Sequence, residues 1–105
     1  MRKSRSVASW APKAKTDVQV VWRYYTHIAS IEVADAMLRE VDRVIARLGE
    51  NPKLGRPRDD VSPQLRSVRA HPYIIFYRLK DEAVEIVRVL HERQDLSTVI
   101  NDCSK

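Results

Sequence analysis

This 105-residue chain has a single cysteine, Cys103, so it cannot form an intrachain disulfide, and no Cys/His cluster surrounds it to suggest a metal site. No apolar run approaches the ~20 residues that a membrane-spanning helix needs. The basic N-terminus leads into Trp10-Ala11-Pro12 without the long apolar core of a signal peptide. A reducing, cytoplasmic setting is therefore expected, with no membrane partner, no metal and no cofactor. Internal repeats, low-complexity runs and domain boundaries are also missing. Aromatic residues stop at Tyr77, and between residues 16 and 104 the only lysines are Lys53 and Lys80.

What is present suffices for one domain, residues 1–105. At 12.2 kDa it can bury roughly two-thirds of the surface its unfolded chain exposes, without metal or disulfide staples. The net charge is +5, unevenly placed. Residues 1–15 hold five basic and no acidic side chains, Lys53 to Lys80 seven basic and two acidic, and Asp81 to Lys105 three basic and six acidic. A solvated tail and loop account for this distribution, as does attraction to nucleic acid or to an acidic protein. Charge alone does not separate these readings.

Val7-Ala8-Ser9-Trp10 has weak strand character, and Pro12 confines any strand there to a short or edge position. Thr16 is expected to cap a helix with Asp17 in its first turn. Val18, Val21, Trp22, Tyr25, Ile28 and Ala29 then recur at helical spacing, which places Trp22 and Tyr25 in the core. Ser30 is a cap for a second helix with its own stripe, Ala34, Met37, Leu38, Val41, Val44, Ile45 and Leu48, ended by Gly49 and Pro52. A break this short implies an antiparallel helical hairpin.

Asn51 to Pro63, NPKLGRPRDDVSP, reads as loop from its prolines and glycine. Leu65 to Ala70 reads as a short strand. Tyr73 to Leu79 and Val84 to Leu90 are two aromatic and β-branched strands joined at Lys80-Asp81-Glu82. The order is β-α-α-β-β-β: an α+β domain with a helical hairpin on one face of a small, mainly antiparallel sheet. The other face, or one edge, is left for something else to cover. Arg78 and Arg88 stand inside the strands. They suit a half-solvated face, a pairing with Glu85, or a surface that receives a partner.

WAPKA before a helix with Trp22 and Tyr24-Tyr25, followed by NPKLGRPRDD, LRS, IIFYR and VEIVRVLHERQDL, resembles the ParE toxins of the RelE/ParE superfamily. The likeness spans residues 7–96, leaving a basic N-terminal extension (1–6) and a C-terminal tail (97–105). It implies the RelE/ParE-like fold and a bacterial type II toxin–antitoxin module of the plasmid-stabilisation kind. It further implies inhibition of DNA gyrase by binding, neutralisation by a ParD-like antitoxin, and indirect operator DNA binding through that antitoxin. Candidate target-binding residues are Arg56, Arg58, Arg69, Arg78, His91 and Arg93, with Arg93 and Asp95 as a local ion pair.

RelE-like relatives instead cut mRNA on the ribosome, which needs a general base, a general acid and transition-state cations. Arg56, Arg58, Arg66, Arg69 and Arg88 could supply the cations, and His91 stands at a strand end suited to proton transfer; the nuclease reading takes Arg66, Arg88 and His91. Such relatives commonly use lysines, or a Glu with a His, and a C-terminal tyrosine; the shortage of lysines and the end of aromatics at Tyr77 depart from that pattern. A third alternative is a non-toxic binding module of a self-repressing complex. His91 is expected chiefly to anchor its strand end.

Overall fold

The computed structural model describes residues 8–81 and 83–93 of the chain. Val7, Glu82, Asp95, Cys103 and the two terminal extensions lie outside the described residues.

The elements run β1 (Ser9–Trp10), α1 (Pro12–Ile28), α2 (Ile31–Glu50), β2 (Arg56–Pro57), β3 (Arg66–Ala70), β4 (Tyr73–Lys80) and β5 (Ala83–His91). The sheet order is β1-β5-β4-β3-β2, with β1 parallel to β5 and every other pair antiparallel. The expected architecture is present, with one strand more: the two-residue β2 arises inside the segment expected to be loop. Its Arg-Pro sequence carries no strand pattern, and its pairing depends on β3. No helix among the described residues is long and apolar enough to cross a membrane.

α1 begins earlier than expected. Pro12 occupies the first helical turn, where its fixed φ suits a helix and its missing N–H is no loss, and Ala11 is the cap position without any side-chain bond. Thr16 is therefore already inside the helix, its Oγ1 donating to the Pro12 carbonyl at 3.3 Å, and Asp17 lies beyond the first turn. Ser30 does cap α2, its Oγ accepting the Val33 N–H at 3.1 Å. α2 passes through Gly49 and ends at Glu50.

α1 and α2 cover one sheet face. Val21, Val41, Val44, Ile45 and Leu48 pack there against Ile75, Tyr77, Val84, Ile86 and Val89. Tyr25 is half-buried against this core; Trp22, also half-buried, ties the helices by donating Nε1–H to Asp35 at 3.0 Å. Ile28 departs from its expected place. It follows Val21 by two helical turns, yet belongs to neither core cluster and is 58% exposed.

The opposite face is not left bare. Val61 and Leu65, from the loop between β2 and β3, pack on Phe76, Val87 and Leu90. That loop closes on itself through Arg58 N–H to Leu65 O at 2.7 Å and Gln64 N–H to the Asp59 carboxylate at 2.9 Å. Apolar exposure is concentrated instead on the helical hairpin, at Val20, Tyr24, Ile28, Ile31 and Val33.

A bulge settles which residues share a face. Phe76 pairs with Arg88 but Tyr77 with Ile86, so Val87 is the extra residue in β5. Ile86 and Val89, three apart, both reach the helix-side core, and Val87 and Leu90 both reach the other.

Candidate functional site

The arginines of the sheet divide by strand alternation. In β3, Val68 and Ala70 join the helix-side core, so Ser67 and Arg69 face away from the helices. In β4, Ile74 and Phe76 face away too, and Arg78 continues their row. Arg56 pairs with Ser67 across β2–β3 and shares its face. Arg58, two residues on, lies with its guanidinium carbon 5.6 Å from the centre of the Phe76 ring. Arg56, Arg58, Arg69 and Arg78 thus gather on the face remote from the helices.

Their surroundings differ. Arg58 is fixed: Nε and Nη2 donate to the Asp60 carboxylate at 3.2 and 3.4 Å, and Nη1 donates to Ser67 Oγ at 3.4 Å. The Arg58 hydrogen bond holds the Asp60 carboxyl below its ordinary value, against the opposing effect of desolvation. Arg69, mostly exposed, donates to Glu92 at 2.9 Å. Arg78 lies 3.7 Å from Glu85, one of the readings open for it, and its buried Nε has no hydrogen-bond partner among the described residues. Arg88 does not use Glu85. It binds Asp17 instead, 71 residues away in sequence, with Nε–Oδ2 at 2.7 Å and Nη2–Oδ1 at 2.8 Å.

Asp17 does more than neutralise Arg88. β1 pairs only with Glu85 and Ile86, the Ala11 N–H adding a bond to Ile86 O at 2.9 Å. Beyond that, the Asp17 carboxylate accepts the Val89 N–H at 2.9 Å and so occupies a β5 edge donor. Arg88, His91, Tyr73 and Tyr24 line a cavity of about 370 Å³ between β5 and α1. His91 Nδ1 accepts the Arg93 N–H at 3.1 Å, and its ring meets Tyr73 edge to face at 5.3 Å. Burial, then the hydrogen bond with Tyr25, pushes the Tyr73 phenol well above its ordinary value. Arg93 itself is exposed; its expected partner, Asp95, is outside the described residues.

Arg66 is elsewhere. It faces the helices beside Tyr77 and donates Nη1–H to the carbonyl of Gly55 at 2.6 Å and of Lys53 at 3.5 Å. Its register partner Tyr77 and that of His91, Tyr73, are four residues apart along β4, about 13 Å at strand rise. The three residues of the nuclease reading are therefore not assembled around one point.

The loop that Arg66 holds is also clamped by Tyr77, whose Oη donates to Pro52 O at 2.8 Å and accepts the Gly55 N–H at 2.8 Å. Sequence reasoning assigns Asp17, Tyr77 and Gly55 no part in the site. The Gly-Arg-Pro-Arg stretch carries the one available signal. A Cβ on Gly55 would stand 2.6 Å from the Ser67 carbonyl oxygen and 2.7 Å from the Tyr77 ring, so only glycine lets the loop approach.

The sequence model of the family described as "ParE toxin of type II toxin-antitoxin system, parDE" matches residues 8–96. The chain belongs to the ParE toxin family. Toxin ParE1 of Mycobacterium tuberculosis is 32% identical over 87 residues, covering 82% of this chain and 89% of that toxin. Toxin ParE3 of Caulobacter vibrioides is 37% identical over 81 residues, covering 77% and 81%. Among solved structures, a chain of the chromosomal ParDE toxin–antitoxin system from P. aeruginosa superposes with a TM-score of 0.72 at 19% identity, covering 83% of this chain and 96% of that one. A chain of the RelBE2 toxin–antitoxin complex from Mycobacterium tuberculosis gives 0.58 at 23% identity, covering 84% and 99%. These two likenesses concern the fold, which ParE and RelE-type chains share.

Proposed function

We propose that this ParE-family toxin inhibits DNA gyrase by binding, without bond-making chemistry of its own, and that a ParD-like antitoxin neutralises it. One observation carries the choice over mRNA cleavage: the two arginines of the nuclease reading are engaged inside the fold. Arg88 is chelated by Asp17, and Arg66 commits Nη1 to loop carbonyls. Cleavage chemistry needs cations preorganised toward a reacting phosphate beside an acid and a base. The spacing of Arg66 from His91 does not supply that arrangement.

The antitoxin reading is supported by the apolar line Val20–Tyr24–Ile28 on α1, which more than half-exposes each of its side chains. Positions i, i+4 and i+8 make one continuous strip on a helix, and a strip of this kind suits an amphipathic partner segment. In the same reading the toxin is cytoplasmic and is brought to operator DNA through its antitoxin.

The test is a parallel assay of antitoxin-free protein on gyrase and on programmed ribosomes. Accumulated cleaved DNA with intact mRNA is the expected result. Cut mRNA with normal supercoiling selects the nuclease instead; two silent assays with retained antitoxin binding select a non-toxic binding module.

A further inference from the structure

The helix-remote face carries a cleft that the gyrase reading leaves without a ligand. Arg56, Arg58 and Arg69, with the Ser67 hydroxyl between them, line a cavity of about 350 Å³ together with Ile74. The convergence follows from register: Arg56 stands opposite Ser67, Arg69 is two residues along the same strand face, and Arg58 returns over Phe76.

We propose that this cleft binds the sugar–phosphate backbone of duplex DNA, so that the toxin touches the DNA as well as the enzyme. The inference rests on the gyrase reading for the source of that DNA, the segment gyrase holds, but direct binding is testable without gyrase. Arg58 shapes the cleft, with its side chain 15% exposed and its guanidinium held in place by Asp60, Ser67 and the Phe76 ring, and leaves the phosphate contacts to Arg56 and Arg69. Arg56 is exposed and, although its charge acts on the Asp60 carboxyl, it is seen in no direct ion pair among the described residues. Among the described residues Arg69 is held by a surface pair with Glu92, and such pairs contribute about 0–1 kcal/mol, so it can turn to a phosphate at little cost. The forked guanidinium matches two phosphate oxygens, and the Ser67 hydroxyl, which accepts from Arg58, keeps its own proton for a third.

The chemistry favours DNA over an acidic peptide. Two of the three arginines already have carboxylates, so a peptide carboxylate would mainly exchange one for another. A duplex carries a charge about every 1.7 Å and gains by releasing counterions. The lining offers no Asn, Gln or acidic side chain to read base edges. Binding is therefore indifferent to sequence.

The experiment measures anisotropy of a labelled duplex of about 20 base pairs against antitoxin-free toxin over a range of salt. Parent protein is compared with Arg56→Gln/Arg69→Gln and with a Lys13→Gln/Lys15→Gln control, exposed lysines of α1. The arginine variant should melt as the parent does, bind about tenfold or more weakly at low salt, and lose about two from its log–log salt slope, one per contact. The control should bind much like the parent, and poly-glutamate should compete poorly. No binding by the parent, unchanged affinity and slope in the arginine variant, or equal competition by poly-glutamate would each overturn the proposal. A gyrase assay separates the two readings. If the arginine variant fails to hold DNA yet poisons gyrase fully, the cleft still binds DNA but its contact with gyrase-held DNA is overturned, and the gyrase reading stands. If the parent binds DNA through the cleft yet leaves gyrase uninhibited, the gyrase reading falls and DNA binding by the cleft stands.

Discussion

Arg88 and Asp17 form a two-pronged ion pair that joins the middle of β5 to the second turn of α1, at 2.7 and 2.8 Å, with both side chains nearly nine-tenths buried. The same carboxylate accepts the Val89 N–H, so one side chain neutralises a buried cation and occupies an edge donor. This pair is a docking joint between helix and sheet.

Asp17→Ala should therefore act on stability. It leaves a largely buried guanidinium and a backbone N–H without this partner, a loss of about 3–5 kcal/mol by urea denaturation. Asp17→Ala/Arg88→Ala should cost less than the sum of the two single changes, since the pair is coupled. Additive losses would show that the two residues act separately.

Gly55→Ala should destabilise by about 1–3 kcal/mol, because its Cβ meets the backbone oxygen of Ser67, which belongs to a paired strand and cannot easily yield. Tyr77→Phe should cost a similar ~1–3 kcal/mol by stranding the Pro52 carbonyl and Gly55 N–H. Thermal melts of the two variants check both, and an unshifted midpoint in either refutes the clamp.

Alkaline pH should weaken the fold. Burial raises the Tyr73 and Tyr77 phenols above the ordinary value of 10.0, in Tyr77 against the lowering effect of the Gly55 N–H and Arg66. A group raised in the folded state contributes stability that is complete below its unfolded value and is lost as pH climbs toward its folded one. The melting temperature should hold to about pH 9 and fall above about pH 10, and Tyr73→Phe should make that fall shallower.

Tyr24→Ala should leave the melting temperature within about 2 °C, because Tyr24 is half exposed. It should nevertheless weaken the ParD-like antitoxin at least about tenfold, as loss of a central aromatic anchor does. Calorimetric titration checks this; unchanged affinity would move the antitoxin surface off α1.

Much of the architecture is legible in the sequence because it is written in local pattern. The α2 stripe, the Ser30 cap and the two long strands each follow from spacing within a few residues. The start of α1 differs from expectation because a proline at the first helical turn outranks a threonine that merely has cap chemistry. The face of Arg88 is hidden by a bulge at Val87, which breaks the parity that strand reading relies on. Asp17 cannot be found from its neighbours, since its partner is 71 residues away and no local motif joins them. The clustering of Arg56, Arg58 and Arg69 likewise depends on β2, two residues that pair only because β3 lies beside them. Charge counting locates the basic segment; register gives it a shape.

The most direct test of action by binding is a titration of antitoxin-free protein into purified gyrase and plasmid, scoring linear DNA released by detergent. A toxin that acts by binding should raise linear DNA to saturation as it approaches equivalence with gyrase, while mRNA on ribosomes in a parallel reaction stays intact. Supercoiling undisturbed at large excess, with mRNA cut by far less than one toxin per ribosome, would contradict it.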